Sequence, residues 1–224
     1  MSYETIRYQV RDRVARLELH RPEKHNAMNP QMVRELLDAF GNARIDPDVS
    51  VVVLTGAGDK VFCAGGDLGG ISQRQEEGAA PAERGGPQLL FETFSGLGKP
   101  IVGKINGHAL AGGLGLATAC DIVIAADDVR FGTPEINVGL WPMVIMATIS
   151  RSVGPKQALK LYMTGQQIDA GEAVRIGLIT EAVPRAELGA RVNEVAGVLA
   201  EKSPVVMRLG RDAFYTQRDM PFAE

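Results

Sequence analysis

Two glycine-rich turns constrain this chain more than anything else in its sequence. The first, Phe62-Cys63-Ala64-Gly65-Gly66-Asp67-Leu68, follows the β-branched run at 49–54. The second, Asn106-Gly107-His108-Ala109-Leu110-Ala111-Gly112-Gly113-Leu114-Gly115, follows the apolar run at 101–105. Each turn leads from an expected strand into an expected helix. The first turn of a helix presents N–H groups with no intrahelical acceptor, and it carries a partial positive charge. Glycine lets a ligand oxygen approach such groups closely. Two of these termini facing one point would make an oxyanion hole, each donor worth about 3 kcal/mol of barrier. Taken singly, each turn also has a plainer reading, as glycine punctuation before a helix.

Around the turns the apolar pattern changes period repeatedly. Val14, Leu17 and Leu19 mix with Arg16, Glu18 and His20, as in a half-exposed strand. Asn29 followed by Pro30 is a helix start, after which Val33, Leu36, Leu37 and Phe40 give one buried stripe. The run 49–54 suits a strand covered on both faces, as in a parallel sheet. A strand over 101–105, a small-residue helix over 112–120 and a strand over 122–125 come next. A helix from Gly154-Pro155, a capping pattern at 169–172 and a strand over 179–183 complete the series. Strands alternating with helices imply an α/β architecture with crossover connections. Residues 1–184 are read as one core and 185–224 as a C-terminal helical segment broken at Ser203-Pro204. The stretch 72–87, SQRQEEGAAPAERGGP, is expected to be mobile, either as a solvated loop or as a flexible rim over a pocket.

Composition sets outer bounds. With 45% apolar and 23% charged residues over 224 positions, the chain is an ordinary globular sequence able to bury a core. A net charge of −3 argues against a nucleic-acid surface, whose footprint is a basic stripe. The helix over 32–44 carries only Arg34 and Arg44, so it offers no lysine-rich face to RNA. No run approaches the ~20 apolar residues of a membrane span. Residues 1–12 show no signal-peptide pattern, and a cytoplasmic location is expected. Cys63 and Cys120 are read as buried reduced thiols rather than a disulfide. No His, Cys or carboxylate cluster has metal-ligand spacing, so no metal is expected. A dinucleotide fingerprint starting at Gly113 fails at Thr118, and neither a Gly-Lys-Ser/Thr phosphate loop nor a Gly-x-Ser-x-Gly elbow occurs.

Three further blocks complete a pattern: Phe131-Gly132-Thr133-Pro134-Glu135-Ile136-Asn137-Val138-Gly139-Leu140, the stretch 20–28 (HRPEKHNAM), and 163–165 (MTG) with 176–178 (IGL). With the two turns, these closely resemble the crotonase superfamily, the enoyl-CoA hydratase/isomerase family, over nearly the whole chain and in the expected order. The resemblance implies a spiral of repeated β-β-α units with a C-terminal helical segment. It implies an acyl-CoA thioester substrate, no separate cofactor because CoA is part of that substrate, and a homotrimer or dimer of trimers. It marks Gly66 and Gly112 as the two backbone donors and Glu135 as the acid/base. It also marks Lys24, His25, Ala27, Ala64, Gly65, Asp67 and Leu68 as lying in the stretches that hold CoA. Asp67 itself is read as a turn residue and helix cap, not a base. Relatives continue with further helices about where this chain ends, so the C-terminal segment is read as incomplete.

One position departs from the pattern. Hydratases of this family use two glutamates, and the first should stand three residues beyond Gly112, where this chain has Gly115. No carboxylate occurs between 106 and 119, and Asp121 is assigned to a helix-to-strand junction. Adding water to a conjugated thioester needs a base for the water and an acid for the alpha carbon. Moving a double bond from beta–gamma to alpha–beta needs one carboxylate that takes a proton and returns it. The residue count therefore favours isomerisation, whereas the overall pattern resembles hydratase-type members. The expectation is the hydratase/isomerase class with the reaction open; a non-catalytic acyl-CoA binder is the alternative of a different kind. His108 is read as a turn-surface residue, and Trp141, Met143 and Met146 as either acyl-pocket lining or core packing.

Overall fold

The structure, a computed structural model, describes residues 3–67 and 86–221. Leu68 and the stretch 72–85 lie outside the described residues; Gly86 and Pro87 open a helix.

The chain begins with an antiparallel hairpin, β1 (Ile6–Arg11) and β2 (Val14–Leu19). Its two-residue turn, Asp12-Arg13, has both residues in the left-handed region (φ 52° and 63°), which matches the twist of paired strands. Helix α1 (Pro30–Ile45) starts as expected, the Asn29 side chain accepting from the Met32 N–H at 2.8 Å. Its buried stripe is Met32, Leu36, Ala39, Phe40 and Ala43, with Val33 and Leu37 on the flank.

Three β-β-α-like units follow. The first is β3 (Val51–Gly56) and β4 (Val61–Cys63), leading on to α2 (Gly86–Gly96). The second is β5 (Ile101–Ile105), β6 (His108–Leu110) and α3 (Gly112–Ala119). The third is β7 (Ile122–Ala126) and β8 (Arg130–Gly132), ending in a 3-10 turn, Pro134–Val138. Each unit sends its first strand into one sheet and its second into another. The larger sheet runs β1-β2-β3-β5-β7-β10, parallel from β2 onward; the smaller runs β4-β6-β8-β9, with β4, β6 and β8 parallel. Burial explains the first strands, since Val51, Val52, Val53 and Leu54 are all at most 1% exposed.

The remaining elements are α4 (Met146–Ile149), α5 (Pro155–Thr164), β9 (Ile168–Asp169), α6 (Ala170–Arg175), β10 (Glu181–Val183), α7 (Leu188–Ala200) and α8 (Pro204–Gln217). At α6 the capping pattern half forms: Asp169 accepts from the Glu172 N–H at 2.8 Å, but the Glu172 carboxylate turns to Arg175. Leu188, Val192 and Ala196 seat α7 across β2, β3, β5 and β7. Helix α8 is different, because the residue it buries is Arg211. Among the described residues, no helix is long and apolar enough to cross a membrane.

Candidate active site

The site is assembled at the C-terminal ends of the three parallel strands of the smaller sheet. Beyond β4 come Gly65 and Gly66, beyond β6 comes Gly112, and beyond β8 comes Glu135. In parallel α/β sheets such strand ends are where ligands bind.

A strap from Arg21 to Met28 fixes the first turn. Within it His25 and Asn26 both adopt left-handed backbone (φ 51° and 53°). Asn26 is buried, accepts from the Arg21 N–H at 3.0 Å, and donates to the carbonyls of Ala57 and Val61, both at 2.9 Å. The strap then pairs with the turn: Ala64 N–H to His25 O (3.1 Å), Met28 N–H to Gly65 O (2.7 Å) and Asp67 N–H to Met28 O (2.9 Å). The Arg21 guanidinium donates to Ala27 O at 2.6 Å and to the Asp67 carboxylate at 3.1 Å. Asp67 thus ties strap to turn through its side chain; any capping role would involve residues outside the described ones. Lys24 and His25 are exposed, and Ala27 and Ala64 are half-buried.

The two glycine turns touch. Gly65, at φ 104°, has no room for a side chain: a Cβ there would stand 2.7 Å from Ala111 Cβ and 3.0 Å from Gly112 N. A Cβ on Gly113 would fall 2.1 Å from Cys63 O, so α3 starts hard against β4. Ala111, which precedes α3, is held at φ 49° and ψ −129°, a conformation foreign to side-chain-bearing residues; its N–H donates to Gly132 O at 2.9 Å. Among the described residues, no backbone acceptor takes the N–H of Gly66 or of Gly112. Neither amide is thus spent on a described backbone carbonyl.

Glu135 enters from the neighbouring strand. Leu110 of β6 is paired with Gly132 of β8, so Gly112 and Glu135 leave adjacent strands within three residues of a shared register. The 3-10 turn holding Glu135 closes at Gly139 (φ 75°), and Leu140 N–H bonds back to Glu135 O at 3.0 Å. The carboxylate atom Oε2 is buried with no hydrogen-bond partner among the described residues. Burial pushes its pKa above the ordinary carboxylate value, partly offset by its own backbone N–H. A half-buried carboxyl with a raised pKa is suited to taking and returning a proton.

Position 115 is filled, not empty. A Cβ on Gly115 would lie 2.4 Å from Ile145 Cγ2, 2.9 Å from Ile145 Cβ and 2.9 Å from Phe91 Cζ. An apolar wall thus stands where the family's hydratases carry their first glutamate. Asp121 is committed elsewhere, accepting from Ile101 N–H (2.7 Å), Arg211 Nε (2.9 Å) and the Tyr215 hydroxyl (2.6 Å). His108 accepts from the Arg130 N–H at 3.0 Å, a structural bond at the strand start. Of the residues read as pocket or core, Trp141 packs edge-on against Tyr162, while Met143 and Met146 are exposed and form no part of the core. Cys63 and Cys120 are free and buried, and burial pushes the Cys63 thiol up to about 12. Sequence reasoning missed Asn26, Phe91 and Ile145. For Asn26 a signal exists, a polar residue beside two tight turns; for Phe91 and Ile145 there is none short of the fold.

Comparison with known proteins agrees with this geometry. The family described as enoyl-CoA hydratase/isomerase matches residues 9–224. The chain is 37% identical over 216 residues to the crotonyl-CoA hydratase of Syntrophomonas wolfei, covering 95% of this chain and 82% of that protein. It is 34% identical to the hydroxycinnamoyl-CoA hydratase-lyase of Pseudomonas fluorescens, covering 99% and 82%. The solved enoyl-CoA hydratase of Mycobacterium smegmatis superposes with a TM-score of 0.90 at 29% identity, over 98% of this chain and 86% of that one. The fold is thus the crotonase fold. This chain belongs to the enoyl-CoA hydratase/isomerase family, and its chemistry is of that type, on acyl-CoA thioesters.

Proposed function

We propose that this protein is a one-carboxylate member of its family, which shifts the double bond of a 3-enoyl-CoA into conjugation with the thioester. The observation that supports this most directly is the packing at position 115. Ile145 and Phe91 occupy the space that a side chain at position 115 would need, so no carboxylate stands at that position. In the proposed reaction the Glu135 carboxylate removes the alpha proton. The C–H electron pair moves into the thioester, giving a dienolate whose oxygen sits on the Gly66 and Gly112 amides. The Glu135 carboxyl then returns the same proton to the gamma carbon, and the double bond comes to rest between the alpha and beta carbons. No proton, water or cofactor is consumed; the CoA part rides along the strap and first turn, near Lys24, His25, Ala27, Ala64, Gly65, Asp67 and Leu68. Two preorganised donors at an oxyanion contribute about 3 kcal/mol each.

The proposal extends to assembly and location. Ile136, Val138, Leu140, Met143 and Met146, with Leu159 and Met163 on the α5 helix packed against the same 3-10 turn, are exposed apolar residues. Exposed apolar residues grouped on neighbouring elements mark interaction surfaces, and a homotrimer would cover these. Two free buried thiols suit the reducing cytoplasm.

The deciding experiment supplies 3-enoyl-CoA and 2-enoyl-CoA separately and identifies products by chromatography and mass. Conversion of the first to its conjugated isomer, with the second left without added water, is the expected result. Rapid hydration of the 2-enoyl thioester would replace this reading with that of a hydratase, the reaction its named relatives perform.

A further inference from the structure

Each donor amide is aimed by the carbonyl of its own peptide. A trans peptide is planar, so its C=O and N–H point in opposite directions. No peptide among the described residues is cis. The Gly66 N–H shares its peptide with Gly65 O, which accepts from the Met28 N–H at 2.7 Å. The Gly66 N–H therefore points away from the strap. The Gly112 N–H shares its peptide with Ala111 O, which accepts from Leu114 N–H (2.9 Å) and Gly115 N–H (3.2 Å) in the first turn of α3. The Gly112 N–H therefore points off the N-terminal end of that helix.

Met28 meets both donors. Its main chain forms a parallel bridge with Gly66, completed by Asp67 N–H to Met28 O at 2.9 Å. Its side chain lies against the other donor: a Cβ on Gly112 would stand 2.7 Å from Met28 Cε and 3.4 Å from Gly65 Cα. The missing side chain at 112 leaves the thioether end its room, and an unbranched chain suits so narrow a gap. The backbone on either side is fixed, Ala27 O by the Arg21 guanidinium at 2.6 Å and Asn29 by its cap on α1. Half-buried Met28 is thus a bracket held at its main chain, with its far end against Gly112.

From this arrangement we infer that Met28 is a positioning residue of the oxyanion site: its main-chain N–H aims the Gly66 amide and its thioether end braces Gly112, so that both amides address one oxygen. This role rests on the thioester reading proposed above and adds the residue that sets the two donors relative to each other. Removing one such donor costs about 10²–10³ in rate, so a donor left in place but unbraced should cost about tenfold.

The test uses 3-oxobutanoyl-CoA, whose alpha carbon gives up a proton to the buffer and leaves an enolate that absorbs in the near ultraviolet. At saturation the wild type should hold a larger enolate fraction than free solution at the same pH. M28A should lower the bound enolate-to-ketone ratio by about tenfold, with M28L, which stops short of Gly112, between the two. Affinity for butanoyl-CoA, a saturated thioester measured by calorimetry, should stay near the wild-type value in both. A loss of that affinity as large as the loss of enolate would assign Met28 to general packing and overturn the role. An unchanged enolate ratio in M28A would overturn it too. A circular dichroism melt shows which variants fold; if M28A does not, M28L carries the test, and an unchanged ratio there overturns the role equally. A wild type that binds 3-oxobutanoyl-CoA without enriching its enolate would remove the oxyanion reading itself, whereas enrichment left intact by the substitution removes Met28 alone.

Discussion

Glu135 is held in surroundings that oppose its charge. One of its oxygens is buried without a partner, and burial raises the folded-state pKa above the ordinary carboxylate value. Between those two values the native protein holds more protons than the unfolded chain, so stability falls as pH rises through that window and stays lower above it. Two results should therefore part company in E135Q. Turnover should drop by about a hundredfold or more, because a positioned acid/base contributes on the order of 10²- to 10⁴-fold. The variant should nevertheless melt above the wild type at mildly alkaline pH, with the difference vanishing in acid where both side chains are neutral. In the wild type, kcat/KM should rise with pH through the raised pKa. Near-normal turnover in E135Q would take Glu135 out of the mechanism. At this scale the sequence pointed to candidates that the structure places at neighbouring strand ends. Gly65, Gly66, Gly112 and Glu135 belong to types whose physical role is hard to transfer to another residue. Phe91 and Ile145 were illegible because their packing against Gly115 depends on atoms far along the chain.

Among the elements, the long first strands and most helices followed from period and composition; α2, whose first two residues fell in the stretch expected to be mobile, and the four-residue α4 did not. The second strands of each unit did not. β4, β6 and β8 have three residues each, too few for alternation to show, and β4 and β6 lie inside glycine-rich segments that read as turns. Yet those short strands align the three parts of the site. Helix α8 presents another problem for a sequence reading, since it docks through a cation instead of an apolar stripe. Arg211 pairs with Asp121, donates to the carbonyls of Phe94 and Ser95, and lies 4.7 Å over the Tyr215 ring. Removing one partner of such a buried pair costs about 3–5 kcal/mol. R211M should accordingly speed hydrogen exchange across α8, and at Ile101, whose N–H shares the Asp121 acceptor, while leaving the interior of β3 protected. Unchanged exchange in α8 would show that the helix is held by other contacts.

For the whole molecule, the α/β class was readable from alternating periods, while the spiral of β-β-α units and the assembly were implied only by resemblance. The exposed apolar residues around the 3-10 turn support the assembly proposed above. V138D combined with M163D should shift the sedimentation coefficient from trimer to monomer; a wild type that sediments as a monomer would remove the proposal. The three strand ends of the smaller sheet carry a last consequence, for how the enzyme is born. Its parts come from separate crossovers, joined by pairings that a growing or refolding chain must make across long stretches of sequence, which form slowly. Partially folded chains should then be catalytically silent, and the return of turnover would time the closing of the smaller sheet, not the earlier collapse of the hydrophobic interior.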